Sequence, residues 1–302
     1  MGGLLRRFSV LIPLLMLPLG LWLGWRTFSA AGWDGVTASL AAIAGVDIAL
    51  AFVCAAASYL CLTGFDALAL RHVGRPLAYR RVALTSFVSL SIGHNVGVAA
   101  LSSGTLRWRF YSGWGLGGVE VGQVILFCGV TVALGLVSLG GGALLLRPDL
   151  GGMIGVPPGA AAAVGGLCLL SAAGYVLLAW RLRRPMHIRG HDFRLPTVGI
   201  AAAQVALGAV NFAFVAATLY QLLGRGAAYA DVVGAYVLGN LAGLVSHVPG
   251  GLGVLEYVVG AVLSQGDVAG ALILFRVVYF LVPLLLGSTL LAAAELHRWR
   301  SR

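Results

Sequence analysis

Ser86-Phe-Val-Ser-Leu-Ser-Ile-Gly-His-Asn-Val-Gly-Val-Ala-Ala-Leu-Ser-Ser-Gly-Thr-Leu-Arg-Trp-Arg-Phe-Tyr111 decides how the chain is read. The stretch is long enough to cross a bilayer, yet Gly93, His94, Asn95 and Gly97 stand at its middle. Polar, helix-loosening residues at membrane depth persist only where protein shields the backbone or where they line a wet cavity. The expectation is two half-helices meeting at a broken tip.

Composition sets the solvent. The 302 residues are 60% hydrophobic and 10% charged, with 44 glycines. That is too apolar for a water-soluble core and matches an all-α polytopic integral membrane protein. The formal charge of +10 could suggest nucleic acid, but all 20 basic residues are Arg and they cluster in short segments between apolar runs. Such clustering is the positive-inside pattern, so no nucleic-acid partner is expected. Cys54, Cys61, Cys128 and Cys168 all fall in apolar runs, where thiols act as small hydrophobes. Neither a disulfide, a metal cluster nor any other cofactor is predicted.

Apolar runs at 8–25, 46–68, 119–146, 160–180, 197–223 and 269–294 each approach the ~20 residues a bilayer requires. The first follows Arg6 and Arg7 and reads as a retained helix, since no small-x-small cleavage site follows it. Two further runs, 82–106 and 232–265, share one design. The second contains Gly239-Asn-Leu-Ala-Gly-Leu-Val-Ser-His-Val-Pro-Gly-Gly-Leu-Gly-Val-Leu-Glu256, whose Pro-Gly-Gly breaks a helix.

Charge fixes the count of crossings. If both runs enter and leave on one side, 16 of the 20 arginines are cytoplasmic, with Arg26, Arg147 and Arg225 outside. A full crossing by 82–106 would carry Arg107, Arg109 and the arginines after Trp180 to the outer face. The predicted architecture is therefore a single transmembrane domain over 1–302, with six transmembrane helices, two re-entrant broken hairpins and both termini cytoplasmic. Its halves, 8–146 and 160–294, read as an inverted-topology repeat, a plan that recurs in transporters around a midplane site. No soluble segment exceeds ~20 residues, well below a self-supporting core.

Charges within the apolar runs are the candidate site residues, because each costs ~2.5–3.5 kcal/mol to insert. Asp66 lies about 7 Å inside the cytoplasmic end, placed either to pair with Arg71 or Arg75 at the interface or to meet a cation or Arg107 in a cavity. Arg107 and Arg109 follow the first hairpin among Trp108, Phe110, Tyr111 and Trp114. They are topogenic charges in an aromatic belt or, with the planar guanidinium fork, grips for a phosphate. Glu256 and Arg276 stand 11 and 9 residues from Asp267, so they share a depth of ~13–16 Å and are expected to pair. His94, Asn95, Asn240, Ser246 and His247 cluster at the two breaks, where they satisfy freed backbone or meet a ligand.

Four stretches resemble a known family. Thr63-Gly-Phe-Asp66, Gly93-His-Asn-Val-Gly97 followed by Ser103-Gly-Thr-Leu-Arg-Trp-Arg-Phe-Tyr111, His247-Val-Pro-Gly-Gly-Leu-Gly-Val-Leu-Glu256, and Leu274-Phe-Arg-Val-Val-Tyr279 with Pro283 are similar to the lysylphosphatidylglycerol synthase transmembrane region. This is the flippase half of the bacterial multiple peptide resistance factor, which also occurs as stand-alone membrane proteins. The resemblance runs from about Asp66 to Pro283. It implies a lipid translocase moving aminoacylated phosphatidylglycerol or a related phospholipid across the bacterial inner membrane, with Asp66 and Arg107 at matched functional positions. Asn211 departs from an acidic residue of some relatives, which counts against an aminoacyl-cation site. The 302 residues also hold no soluble aminoacyl-transferase domain, so synthesis of such a lipid is not expected.

The residues thus favour a non-ATP-binding lipid transporter rather than an enzyme. Phosphate-loop, zinc and Gly-x-Ser-x-Gly motifs are all missing from the sequence. The competing class is a membrane enzyme or accessory subunit acting on a lipid headgroup or lipid-linked sugar. Expected partners are a membrane phospholipid and either a second copy of the chain or a neighbouring lipid-biosynthetic enzyme.

Overall fold

The computed structural model describes residues 43–95, 99–182, 186–188, 191–193, 195–224, 227–246, 254–263 and 269–300, with three positions between 37 and 41. The predicted span 8–25, the break His247 to Gly251 and the side chain of Glu256 lie outside the described residues. Helix α1 is Gly45–His72, α2 Tyr79–Gly93, α3 Ala99–Ser112, α4 Gly118–Leu146, α5 Pro158–Arg181 and α6 Val198–Leu222. Helix α7 is Tyr229–Ser246 and α8 Val254–Leu263; α9, Ala269–Arg276, runs through a π turn at Val277–Leu281 into α10, Val282–Arg300. A 3-10 turn, Pro148–Ile154, follows α4, and a two-stranded antiparallel hairpin, Met186–Ile188 with His191–Phe193, joins α5 to α6.

The protein is helical and polytopic. Five helical segments are long and apolar enough to span a bilayer: Gly45–His72, Gly118–Leu146, Pro158–Arg181, Val198–Leu222 and Gly270–Leu296. They coincide with five of the six predicted spans. The run 82–106 is two helices of 15 and 14 residues, each about 22 Å long and short of the ~30 Å hydrocarbon core. The run 232–265 is likewise split, into 18 and 10 residues.

Contacts at the helix ends fix the direction of each hairpin. Arg75 Nε donates to Glu120 Oε1 at 2.6 Å, joining the end of α1 to the start of α4. The Arg81 guanidinium lies 5.5 Å from the Trp114 ring centroid, joining the start of α2 to the residues after α3. Arg109 pairs with Glu295 of α10 at that same face. The first hairpin therefore enters and leaves on one side, and α4, with 29 residues, climbs ~43 Å to the other. There Arg147 pairs with Asp149 and with Asp231 at the start of α7. Because α9 and α10 run back from that face to Glu295, the second hairpin opens on the opposite side from the first.

Local chemistry explains the ends and the bends. At the end of α1, Gly74 takes φ +76°, Arg75 N–H donates to Leu70 O at 2.9 Å and Gly74 N–H to Arg71 O at 3.2 Å. This is a Schellman stop, which needs a residue tolerant of left-handed backbone. In the last span, predicted as one helix over 269–294, Pro283 has no N–H to give Tyr279 and its ring crowds that carbonyl. The helix widens into the π turn, and Tyr59 Oη donates to the freed Tyr279 O at 3.2 Å.

The core sits where α1 packs along α6 and α6 along α4. A Cβ on Gly135 of α4 would lie 2.5 Å from the carbonyl group of Gly208 on α6, so these helices touch backbone to backbone, as small residues permit in membranes. Beside this contact Tyr175 Oη donates to Gln204 Oε1 at 2.6 Å, and Gln204 Nε2 donates to Thr131 Oγ1 at 2.9 Å.

Candidate functional site

Beneath the first hairpin the structure brings together Asp66 and Arg107, 41 residues apart. Arg107 Nε donates to Asp66 Oδ1 and Nη2 to Oδ2, both at 2.8 Å. Asp66 is fully buried and Arg107 is 3% exposed, so this is a two-pronged ion pair within apolar surroundings, where directed charge pairs are strong. Tyr111 Oη adds a third donor to Oδ1 at 2.8 Å, and Cys128 Sγ lies 3.8 Å from Oδ2. Neither Tyr111 nor Cys128 was singled out by sequence, and only their places on the inner faces of α3 and α4 reveal them.

This geometry corrects two expectations. Asp66 does not pair with Arg71 or Arg75: Arg75 is taken by Glu120, and Asp66 points inward from α1 to α3. Nor is Asp66 free to hold a cationic headgroup, since its two oxygens already accept from Arg107, Tyr111 and Cys128. Arg107 retains a second edge: the Asp66 fork uses Nε and Nη2, leaving Nη1 for another acceptor. Arg109 makes the same fork with Glu295, its Nε donating to Oε1 at 2.8 Å and Nη2 meeting the other carboxylate oxygen, so it too keeps its Nη1 edge.

At the tip of the same hairpin, near mid-helix of α1, lies a second polar group. Ser58 Oγ donates to Asn211 Oδ1 at 2.8 Å and shares a 2.8 Å hydrogen bond with Tyr279 Oη. Asn95 is buried; its Nδ2 donates to Ser91 O at 2.8 Å and reaches Phe280 O at 3.4 Å. His94 is half-buried, its ring centroid 6.3 Å from that of Tyr59 and 6.4 Å from those of Tyr279 and Phe280. Asn211, in the position noted for an acidic residue, thus serves as an acceptor for Ser58 and ties α6 to α1.

The remaining candidates lie apart from this centre. Asn240, half-buried on α7, donates to Tyr236 Oη at 3.1 Å. Arg276 is buried, with its guanidinium 5.6 Å from the Phe280 ring; its expected partner Glu256 stands in the first turn of α8 with a side chain outside the described set, as is His247. On the face where α7 begins, hydrogen bonds from Arg147 hold the Asp149 carboxyl below its ordinary range. Asp149 and then Asp231 raise Arg147 in turn.

A buried arginine fork beneath one of two opposed re-entrant hairpins, within a bundle of spanning helices, defines a polytopic membrane protein with an interior polar site. No family model matches the chain. It is 33% identical over 276 residues to an uncharacterized protein, slr0712, of Synechocystis, covering 89% of this chain and 86% of that one. It is also 30% identical over 247 residues to the inner membrane protein YbhN of Escherichia coli, covering 76% and 74%. The chain belongs to the membrane-protein family of YbhN.

Proposed function

We propose that the protein is a lipid translocase of the bacterial inner membrane, in which a headgroup phosphate engages the Nη1 edge of Arg107 while Asp66 holds the opposite edge. The observation that carries this reading is the buried fork itself, under a helix break at membrane depth. A headgroup must lose water to cross, and only fixed charges and exposed hairpin backbone replace those interactions at midplane. The resemblance to the lysylphosphatidylglycerol synthase transmembrane region supports phosphatidylglycerol or a related lipid. The saturated Asp66 and the amide at Asn211 favour the phosphate over an aminoacyl cation as the group recognised.

Packing supports an inverted repeat as the moving frame. Helix α4, last of the first half, lies along α7 of the second hairpin, and α10, last of the second half, lies along α2 of the first. The two central helices, α1 and α6, pack against each other.

In proteoliposomes with fluorescent lipids, wild-type protein equilibrates a phosphatidylglycerol analogue between leaflets. Arg107→Lys, which keeps the charge facing Asp66 and loses the planar second edge, is expected to slow exchange at least tenfold while remaining folded. Wild-type exchange in Arg107→Lys removes the phosphate site from Arg107. If wild type moves nothing from a panel of anionic, aminoacylated and polyprenyl-linked lipids, service to a lipid-biosynthetic enzyme becomes the better reading.

A further inference from the structure

Each half of the chain sends its last helix across to the hairpin of the other half, and each of the two seams is tied by an ion pair where it meets water. The seam of α10 with the first hairpin is tied by Arg109 and Glu295, on the face where that hairpin opens. The seam of α4 with α7 is tied by Arg147 and Asp231 on the opposite face. Inside the first seam Val88, Ile92, Leu106 and Phe110 meet Leu284 and Leu291 in a small core separate from the main one. Lipid tails are as apolar as these side chains, so parting them within a bilayer lacks the hydrophobic cost it would carry in water. The directed contact that parting breaks is the fork at the seam's end.

The two ties differ in what they leave behind. Arg147 holds Asp149 through Nε and Nη2 and Asp231 through Nη1. It can release Asp231 and stay paired. Arg109 spends both Nε and Nη2 on Glu295, so parting the first seam takes away its described counter-charge. Another anion has to replace it. The Arg109 side chain is 25% exposed against 14% for Glu295, and its open edge, Nη1 beside Nη2, has the planar geometry that grips a phosphate with two hydrogen bonds.

We infer that Arg109 and Glu295 form a latch on the seam between α10 and the first hairpin, opened by a phosphate group that takes the place of Glu295 on Arg109. The inference rests on the translocase reading and adds to it a docking station ahead of Arg107. Arg107 and Arg109 are two residues apart, about 200° around α3, which clamps that helix to Asp66 of α1 on one side and to Glu295 of α10 on the other. Release of the outer clamp frees the helix that carries the inner site.

A Cβ on Gly287 of α10 would lie 3.1 Å from Ser91 Cβ of α2, so a cysteine at each position is placed to form a disulfide while the seam is shut. The experiment uses full-length Ser91→Cys/Gly287→Cys with the four native cysteines changed to Ala, in vesicles under a membrane-permeant oxidant. Disulfide formation is expected to be about fivefold slower with phosphatidylglycerol present than in phosphatidylcholine alone, whose choline offsets its phosphate charge. Adding Glu295→Gln is expected to make formation slow in both and indifferent to phosphatidylglycerol. The same slowing by inorganic phosphate supports the latch with phosphate itself as the key, and slowing by phosphatidylglycerol alone supports it with the esterified headgroup. Equal rates in the two vesicles, or a phosphatidylglycerol effect that persists with Glu295→Gln, overturn the inference.

Leaflet exchange separates this from the translocase reading. Exchange as fast in the oxidised double variant as after reduction overturns the latch and leaves that reading standing, whereas phosphatidylglycerol-dependent opening in a protein that moves no lipid does the reverse. If the double variant does not fold, Ser91→Cys alone is labelled with a membrane-permeant maleimide. Ser91 is buried, so labelling about fivefold faster with phosphatidylglycerol is expected, and equal labelling overturns the proposal.

Discussion

The first hairpin, 79–112, is held by buried charge as well as by close packing, since a Cβ on Gly287 of α10 would strike Ser91 Oγ of α2, whereas the described contacts of the second, 229–263, are mostly close packing. Arg107 reaches from α3 to a fully buried carboxylate on α1, and Arg109 to Glu295 on α10. On α7 the described polar contacts include Asn240 with Tyr236 and, at its start, Tyr229 with Ala213 O and Asp231 with Arg147, while glycines set the spacing. A Cβ on Gly239 would fall 2.6 Å from Leu255 Cδ1 of α8, and one on Gly140 of α4 would fall 2.9 Å from Val237 Cγ1. One backbone plan therefore takes two forms: the first hairpin carries a buried ion pair, and the second is a tightly fitted neighbour.

The largest effect expected from this contrast is at Asp66. Asp66→Asn leaves Arg107 buried without its counter-charge and is expected to cost about 3–5 kcal/mol, with Asp66→Asn/Arg107→Gln recovering much of the loss. Thermal unfolding in detergent reads both. A double variant no more stable than the singles would mean that charge does not anchor the first hairpin.

For the second hairpin the damage should come from volume instead. Gly239→Leu forces α7 from α8 and is expected to cost about 1–3 kcal/mol, more than Asn240→Ala, which loses one half-buried hydrogen bond. The same melting measurement compares them, and the reverse order would show that both hairpins are held by polar contacts.

The smallest effect belongs to the exposed cluster at the mouth of the second hairpin. Asp149 is held below its ordinary carboxylate range by Arg147, so its contribution is present above the unfolded value of ~3.9 and is lost as pH falls through the lower folded value. Melting temperature should therefore show a small acid-side decline below about pH 4. Salt and Arg147→Gln should each reduce it, because this cluster is solvent-screened. A decline unchanged in Arg147→Gln would place its origin elsewhere.

Much of the fold was legible because membrane solvent imposes lengths: five predicted spans match observed helical segments, and Gly93 to Gly97 marked a break that the structure places between α2 and α3. The ends of α1 and the last span ran longer than expected, since Arg71, Arg298 and Arg300 extend helices beyond the apolar run. Asp66 and Arg107 were named from burial cost and from the family resemblance, with their pairing as one alternative; choosing it over Arg71 or Arg75 depends on which faces of α1 and α3 meet, information that spacing does not carry. Glu295 escaped notice because it sits at a span end, where a carboxylate costs little, and Ser58 because a lone serine in an apolar run is ordinary. The strands Met186–Ile188 and His191–Phe193 were hidden in an arginine-rich segment that read only as a topogenic loop.

Pro283 has a consequence beyond the carbonyl it frees. Each helical residue advances the chain by ~100° of azimuth, so the wider π turn offsets the angular phase of α10 from that of α9. With that offset Phe275 and Tyr279 stack at 5.6 Å within the main core, while Leu284 and Leu291 join Val88, Ile92, Leu106 and Phe110 of the first hairpin. Glu295 arrives beside Arg109. The imino acid thus works as a clutch between two cogs on one shaft, setting which side of the last span each hairpin engages.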